Sequence, residues 1–246
     1  MAQVTETWPP GGADALIEGL QADHLPAIDA YDIGGLLNDP RLGRVAVVSS
    51  FGADSVALLH HVSLIRPGLP VLFLDTGKHF PETLDYARRI ADRLDIELKP
   101  ILPDAALLNE EDPAGDLWRD HPDGCCRIRK VLPLQDALAE FDCWISGRKR
   151  FQAATRSAVP IIERDGGTIK INPMALWSAD EVDRYIAEHE LERHPLVAQG
   201  YPSIGCMNCT SRVTTGAAPR SGRWAHVPEK TECGIHLGPD GKFRRG

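Results

Sequence analysis

The sequence predicts an α/β fold: a parallel twisted sheet with helices on both faces, followed by an irregular C-terminal lobe and a mobile tail. Two observations predict the sheet. From residue 44 to about residue 195, short apolar runs typical of buried strands alternate with apolar-periodic stretches typical of helices, and this alternation is characteristic of parallel sheets. The composition also fits one folded α/β core, because hydrophobic residues make up 43% and charged residues 25% of the 246 positions.

Six short segments of this core combine apolar character with flanking turn signals and are predicted as strands. They are residues 45–48, 71–74, 96–102, 143–146, 159–163 and 168–171. Asp165, Gly166 and Gly167 separate the last two segments, which predicts a hairpin. Helices are predicted where apolar residues recur at helical spacing. They are residues 13–21, 25–37, 55–65, 82–94 and 127–141, and a further helix that starts at Ser178 with a capping-type sequence.

Composition and hydrophobic periodicity divide the chain into four segments. They are an N-terminal helical segment (residues 1–43), the α/β core (44–195), a lobe rich in Gly, Pro, Arg and Cys (196–224) and a tail (225–246). The last two segments have little periodicity, so we expect an irregular structure that ends in a mobile tail.

The charge balance argues against two kinds of partner. With 27 basic and 35 acidic side chains, the net charge is −8, so the protein as a whole would repel nucleic acid and anionic membranes. No apolar run approaches the roughly 18 residues of a membrane span, and the first residues lack the pattern of a signal peptide. We therefore expect a cytoplasmic protein that binds neither nucleic acid nor membranes. The oligomeric state stays open, with a homo-oligomer as one alternative.

Four of the six cysteines are predicted to bind one metal centre. Cys206 and Cys209 are two residues apart in a Gly/Pro-rich turn, and Cys125 and Cys126 are adjacent. Adjacent cysteines can bind the same metal ion only if the backbone between them is bent, whereas the four irons of a cluster offer separate anchor points. Structural zinc sites usually use two spaced pairs, so the adjacent pair favours an iron-sulfur cluster. The alternative is four buried thiols without metal, and Cys143, in an apolar strand, is expected to be a core residue.

Two loops that follow predicted strands are candidates for binding an anion. The first contains Ser50, Gly52, Asp54 and Ser55 and precedes a helix, where backbone N–H groups and the helix dipole can hold a phosphate. It is not a P-loop of the Gly-Lys-Ser/Thr type, since no lysine follows. The second contains Thr76 and Gly77. A purely structural turn is the alternative for either loop, but two such loops on adjacent strands favour a nucleotide crevice.

Basic residues are concentrated where predicted strands end or near the cysteines, although the protein is acidic. They are Arg127, Arg129, Lys130, Arg148, Lys149 and Arg150, with Arg156, Arg220 and Arg223 as further candidates. Each alone could be a solvated surface charge. Several cations at one edge of the sheet indicate a site for a polyanion.

Cys233 lies thirteen residues before the final position, in a Pro/Gly-rich stretch with no apparent core to pack into. It is a candidate nucleophile on a mobile tail, and His236 follows it closely. The alternative is an incidental surface thiol.

Five stretches, in this order, closely resemble the assimilatory sulfonucleotide reductases, the family that reduces adenylyl sulfate or its 3′-phosphorylated form to sulfite. They are residues 74–77, 125–130, 201–209, 220–224 and 232–236. The loop at residues 50–55 is similar to that of the PP-loop family of adenine nucleotide hydrolases. Phe51 stands where that family's pattern has glycine, which argues against ATP hydrolysis.

The resemblance implies an oxidoreductase of assimilatory sulfate reduction and cysteine biosynthesis. The Cys233 thiolate would attack the sulfur of adenylyl sulfate and expel AMP, and reduced thioredoxin or glutaredoxin would then release sulfite from the S-sulfocysteine. Cys125, Cys126, Cys206 and Cys209 would hold a 4Fe-4S cluster, which in this family accompanies the use of adenylyl sulfate. The cluster would act through structure and electrostatics. The residues expected to bind substrate are Ser50, Gly52, Asp54, Ser55, Thr76, Gly77, Lys130, Arg148, Arg220, Arg223 and His236.

Three other functions remain open. The protein could reduce the 3′-phosphorylated substrate instead. A PP-loop thiolase acting on tRNA would need a basic surface and a glycine-rich loop, and both the net charge and Phe51 disfavour it. A non-catalytic metal-binding module would leave Cys233 and the phosphate loop without a role.

Overall fold

The computed structural model describes residues 12–29, 31–227 and 229–235. Within these ranges, six strands form one sheet in the order β3-β2-β1-β4-β6-β5. The strands are β1 (Val45–Ser49), β2 (Val71–Leu74), β3 (Leu98–Ile101), β4 (Cys143–Ser146), β5 (Ile162–Asp165) and β6 (Thr168–Ile171). Neighbouring strands are parallel except β5, which pairs antiparallel with β6 at the edge. The predicted α/β class and the terminal hairpin are confirmed.

Helices cover both faces of the sheet. They are α1 (Gly12–His24), α2 (Gly34–Leu37), α3 (Ser55–Ile65), α4 (Pro81–Arg93), α5 (Ala105–Glu111), α6 (Leu117–Asp120), α7 (Pro122–Cys126), α8 (Leu132–Leu138) and α9 (Ala179–Glu188). Successive strand residues point to opposite faces. Val45 and Val47 of β1 therefore pack into the larger core with α1 to α4 and α9, whereas Ala46 and Val48 pack against α8.

Some helices differ from the sequence prediction for local reasons. The helix predicted at 25–37 is only a 3₁₀ turn (Leu25–Ala27) and the four-residue α2. Pro26 lies in the 3₁₀ turn, and the Asp29 side chain accepts hydrogen bonds from the N–H groups of Tyr31 and Asp32, which forms a turn before α2. The polar stretch before Cys125 contains α5 and α6, which were not predicted. The first of these is capped by Asp104, whose side chain accepts a hydrogen bond from the Leu107 N–H (2.8 Å).

The segment after the adjacent cysteines also differs. One helix was predicted over residues 127–141, but a π turn (Arg127–Val131) joins α7 to α8. A π turn is wider than an α turn and often lies at a functional site. The helix predicted to start at Ser178 is confirmed, since Ser178 and Glu181 form the reciprocal hydrogen bonds of a capping box.

The order of the strands fixes where a ligand can bind. The chain runs outward from β1 to β2 and β3 on one side, and continues on the other side of β1 with β4. In an open parallel sheet, the loops at the carboxyl ends of the two strands flanking such a switch point separate and leave a crevice. The loops after β1 and β4 are the two that carry the predicted phosphate loop and the Arg148 segment.

Candidate active site

A cavity of about 250 Å³ opens at this switch point. Its lining comes from the loop after β1, the loop after β4 and residues of the C-terminal lobe, including Cys233. The predicted substrate-binding residues among its walls are Ser50, Gly52, Asp54, Ser55, Lys130, Arg148, Arg220 and Arg223. Residues nearly 200 positions apart in sequence thus face the same space.

The loop after β1 presents the N-terminus of α3 to the cavity. Helix α3 starts at Ser55, so its first backbone N–H groups and its dipole favour an anion there. Phe51 keeps the left-handed backbone (φ 48°) that glycine adopts most readily. Its ring is fully buried and packs edge-on against Phe73, with 5.4 Å between ring centroids. The aromatic side chain therefore packs in the core and does not alter the conformation of the loop.

Asp54 is tied to the loop after β4. Its carboxylate lies 3.7 Å from the Lys149 ammonium and accepts a hydrogen bond from Gln152 Nε2 (3.4 Å). Lys149 is only 2% exposed, and burial lowers the pKa of its ammonium although Asp54 opposes that shift. This pair holds the two loops of the crevice together.

Six cations among the described residues line the cavity: Lys130, Arg148, Lys149, Arg156, Arg220 and Arg223. Arg148 pairs with Glu163 (3.3 Å), and Arg156 pairs with Glu232. Within the described part of the chain, Lys130 and Arg223 have no carboxylate within 4.0 Å. These two are the cations most available to a substrate anion.

The other predicted cations lie elsewhere. Arg127 pairs with Glu111 on α5. Arg129 is buried, pairs with Asp112 (2.6 Å) and donates a hydrogen bond to the Thr76 carbonyl (2.9 Å). Arg150 donates a hydrogen bond to the Val159 carbonyl (2.9 Å). These three residues support neighbouring loops rather than line the cavity.

The four predicted metal ligands line one small cavity beside the larger one. Cys125 and Cys126 lie on α7, and Cys206 precedes a 3₁₀ turn (Met207–Cys209) that ends at Cys209. All four thiols are buried. The backbone at Cys126 is helical (φ −64°, ψ −37°). Among the described residues, no group of three or more His, Cys, Asp or Glu side chains is arranged to hold a single metal ion.

Hydrogen bonds of the lobe bring these cysteines to the cavity wall. The Met207 N–H donates to the Lys78 carbonyl after β2 (2.8 Å), and the Trp224 N–H donates to the Cys209 carbonyl (3.0 Å). The second bond belongs to a short antiparallel pairing between the Cys209 segment and the Arg223 segment. The Arg223 guanidinium stacks over Trp224 (4.5 Å to the ring centroid). The lobe thereby places its arginine next to its cysteines.

Lys130 forms an electrostatic link between the cysteines and the cavity. Burial alone would raise the pKa of the Cys206 thiol, but the Lys130 charge and a hydrogen bond with Thr76 Oγ1 (3.3 Å) lower it below its ordinary value. Burial raises the pKa of Cys125, Cys126 and Cys209 to about 11. Burial would lower the pKa of Lys130, but Cys206, Cys126 and Cys233 raise it. Lys130 therefore stays charged.

Thr76 and Gly77 do not line the substrate-sized cavity. Thr76 is fully buried beside Cys206, and the Gly77 N–H donates to Asp75 Oδ1 (3.0 Å). Their predicted contact with substrate has no support in the geometry. Thr76 instead belongs to the surroundings of the cysteines.

Cys233 lies between the two cavities. Its partly buried side chain lines the larger cavity and packs against the cluster of Cys206, Cys209 and Trp224. Ile235 packs against the α8 side of the sheet. His236, which was predicted to bind substrate, lies outside the described residues.

The sequence prediction overlooked several residues that line the cavity. Glu232 was passed over although it precedes Cys233, and Lys149 and Arg156 were noted only as basic residues. His79 was also missed. Its Nε2 bonds to the Leu74 carbonyl (2.8 Å), its ring stacks on Phe73 and burial lowers its pKa. Proximity to a candidate nucleophile or to a strand end was the available signal for these residues.

Comparisons with a family model, with curated proteins and with solved structures all match this chain to sulfonucleotide reductases. The model of the phosphoadenosine phosphosulfate reductase domain matches residues 44–212. An adenosine 5′-phosphosulfate reductase of Mesorhizobium japonicum is 51% identical over 79% of this chain and 76% of its own length. One of the same name from a Chelativorans species is 44% identical over 93% of this chain and 94% of its own. Among solved structures, the phosphoadenylyl-sulfate reductase of Candida auris, in a phosphate complex, has a TM-score of 0.67 and 25% identity, covering 84% of this chain and 98% of that one.

Proposed function

We propose a mechanism for this chain from the premise that it belongs to the phosphoadenosine phosphosulfate reductase domain family. Its relatives at 41–51% identity are named adenosine 5′-phosphosulfate reductases. It is an enzyme, an oxidoreductase acting on a sulfur group, and it reduces adenylyl sulfate in assimilatory sulfate reduction. The shared name, the length of the match and the chemistry of the cavity support this function together.

The observation that carries the proposed mechanism is that the Cys233 thiol and the cations Lys130, Arg220 and Arg223 line the same cavity. The cations hold the phosphosulfate, and the Cys233 thiolate attacks its sulfur. A bond forms between the two sulfur atoms while the bond from sulfur to the bridging oxygen breaks, so AMP leaves and Cys233 carries the sulfonate. The cations offset the negative charge of the phosphosulfate, so the Cys233 thiolate, which is also an anion, can approach it.

Release of sulfite needs two electrons, which a dithiol supplies. One thiolate of reduced thioredoxin or glutaredoxin attacks the Sγ of the sulfonated Cys233, sulfite leaves, and the second thiol resolves the mixed disulfide. Cys233 is regenerated and the dithiol becomes a disulfide. The tail must leave the cavity for this step, because the attacking dithiol belongs to another protein.

We propose that Cys125, Cys126, Cys206 and Cys209 hold a 4Fe-4S cluster. Four buried thiols that line one cavity, with a lysine nearby to offset the charge of thiolates, suit such a group. When bound, the cluster would fix the lobe and contribute electrostatics beside the substrate anion, since the dithiol already accounts for the electrons. Lys130 borders both cavities and would carry this influence.

Adenylyl sulfate is favoured over its 3′-phosphorylated form because all four candidate ligands are present and the relatives carry that name. The Candida auris structure bears the other substrate's name, so reduction of the 3′-phosphorylated compound is the second candidate.

In the described residues, no helix is long and apolar enough to cross a membrane. We place the enzyme in the cytoplasm, where reduced thioredoxin or glutaredoxin would meet it.

Incubation with adenylyl [³⁵S]sulfate in the absence of reductant tests the mechanism. We expect the label on the Cys233 peptide, no label in Cys233→Ser, and release of the label as sulfite when reduced thioredoxin is added. Cys143→Ala is the matched control, because Cys143 is buried in β4 away from the cavity. Label that persists in Cys233→Ser would overturn the assignment of the nucleophile. Faster labelling by the 3′-phosphorylated compound would favour the second candidate.

A further inference from the structure

Glu232, the residue before the proposed nucleophile, is held by an arginine from a distant part of the chain. Its two carboxylate oxygens accept hydrogen bonds from Arg156 Nε (2.6 Å) and Nη2 (2.7 Å). Arg220 Nη2 lies 3.6 Å from the same carboxylate and donates to the Thr231 carbonyl (2.8 Å). Both partners of the bidentate pair are largely buried, with side chains 11% and 13% exposed. Bidentate geometry of this kind is among the stronger polar contacts in proteins.

The arginine is itself fixed to the phosphate loop. Arg156 Nη1 donates to Gln152 Oε1 (2.6 Å), and Gln152 Nε2 donates to Asp54 (3.4 Å). A chain of three polar contacts therefore connects Glu232 with the loop before α3. Loop and tail form a single hydrogen-bonded unit across the cavity.

Contacts of neighbouring residues hold the tail on either side of Cys233. Lys230 pairs with Asp123 on α7, Glu232 pairs with Arg156, and Ile235 packs against the sheet. Among residues 229–235, Glu232 makes the ionic contact that is nearest to the thiol. Its side chain is thus the contact best placed to set the position of Cys233.

We propose that Glu232 is a positioning residue for the reaction: its ion pair with Arg156 holds the Cys233 thiol in the substrate cavity. This rests on the proposed function, in which Cys233 is the nucleophile. Arg156 then binds Glu232 of the tail rather than the substrate. Lys130, Arg220 and Arg223 remain to bind the phosphosulfate. The pair has to open when the tail meets the dithiol.

A competing role for the same carboxylate would be to occupy the arginines until a substrate anion displaces it. The two roles differ in kinetics. A carboxylate that competes with substrate raises KM, so its removal would tighten binding. A carboxylate that positions the thiol speeds the chemical step, and its removal would slow that step while binding stays nearly constant.

The first measurement uses Cys233 itself and needs no substrate. Iodoacetamide is added to the complete protein, and the modified Cys233 peptide is quantified by mass spectrometry over time. We expect Glu232→Gln and Arg156→Gln each to be modified about tenfold faster than the unchanged protein, because the released tail exposes the thiol. Glu229→Gln is the control, since Glu229 is an exposed acid of the same tail.

The second measurement is single-turnover kinetics over a range of adenylyl sulfate concentrations up to saturation. Glu232→Gln is expected to form S-sulfocysteine about 10- to 100-fold more slowly, with KM within about twofold of the original value. The double variant Glu232→Gln with Arg156→Gln should be no slower than either single variant, because both remove the same contact. Exchange of the two side chains, Glu232→Arg with Arg156→Glu, should restore part of the rate. An unaltered unfolding midpoint identifies variants that are folded.

Unchanged alkylation and an unchanged single-turnover rate in folded Glu232→Gln would overturn the proposal, and so would a lower KM with an unchanged rate. Failure of the proposed function has a different result, namely sulfonate label on a residue other than Cys233. The alkylation experiment reports on the ion pair in either case.

Discussion

Lys149 Nζ lies 3.7 Å from the carboxylate of Asp54, and this pair connects the two loops that flank the switch point of the sheet. The lysine is buried, whereas the aspartate reaches solvent with 28% of its side chain exposed. A buried ammonium needs its carboxylate, because loss of one partner leaves an unpaired charge. Loss of the Asp54 carboxylate should therefore lower the stability of the protein and change the geometry of the crevice.

Asp54→Asn should lower the free energy of unfolding by about 2 kcal/mol, less than for a fully buried pair because Asp54 is partly solvated. Denaturant titration measures this change. Asp85→Asn, which removes only a surface ion pair on α4, should change stability by less than about 0.5 kcal/mol. Equal stability of both variants would show that Lys149 is adequately solvated or paired without Asp54.

Arg223→Ala should raise the KM for adenylyl sulfate about 10- to 100-fold, because Arg223 is one of two cavity cations without a carboxylate partner in the described ranges. Initial rates over a range of substrate concentrations measure this. Arg212→Ala is the control, since Arg212 stacks on Tyr201 of the same lobe and does not line the cavity.

Gly205 offers a second way to test the same cation. A Cβ atom at Gly205 would lie 2.2 Å from Arg223 Nη2. Gly205→Ala should therefore displace the guanidinium and raise KM in the same direction. An unchanged KM in both Gly205→Ala and Arg223→Ala would remove Arg223 from the binding site.

The sequence predicted the sheet well because the inner strands are buried on both faces. Strands β1, β2 and β4 consist of buried residues throughout, and such strands appear as continuous apolar runs. Helices α5 and α6 gave no comparable signal, since none of their residues is buried. Amphipathic periodicity cannot identify a helix that packs no apolar face.

Apart from the four cysteines, whose residue type links distant positions, the site was predictable where neighbours in sequence are neighbours in space. Strand-end loops and the Cys206–Cys209 turn satisfy that condition. The contact between Glu232 and Arg156 joins residues 76 positions apart, so neither residue type nor spacing could reveal it. Thr76 was predicted at the substrate because it follows a strand, but the side chain turns toward Cys206. The direction of a side chain at the end of a strand is decided by packing.

Thr76→Val should weaken retention of the proposed cluster. The substitution preserves the volume of the buried side chain and removes the hydroxyl that lies 3.3 Å from Cys206 Sγ. Groups that hydrogen-bond to metal ligands commonly change metal affinity by about 10-fold or more. We expect iron loss to a chelator, followed by visible absorbance, to be about tenfold faster than in the original protein. Thr168→Val, in the distant hairpin, is the control. Equal rates of loss in the two variants would contradict a role for Thr76 at this site.

His194 should make stability depend on pH. The imidazole is 1% exposed, Nδ1 accepts from the Leu196 N–H (3.2 Å), and Nε2 therefore donates to Thr83 Oγ1 (2.9 Å). Burial lowers its pKa to about 4, so between this value and the ordinary pKa near 6.5 the unfolded chain binds the additional proton. The free energy of unfolding must then fall as the pH falls through that window, and this contribution is complete above it.

From about pH 7.5 to about pH 5.5, this one group should reduce the free energy of unfolding by about 1 kcal/mol. Denaturant titrations of the original protein and of His194→Gln at both pH values isolate the effect, because all other titrating groups are common to the two proteins. His194→Gln will be less stable at either pH, but its loss on acidification should be smaller by that amount. Identical pH dependence of the two proteins would mean that His194 accepts a proton in the folded state without penalty, which its two hydrogen bonds and its burial argue against.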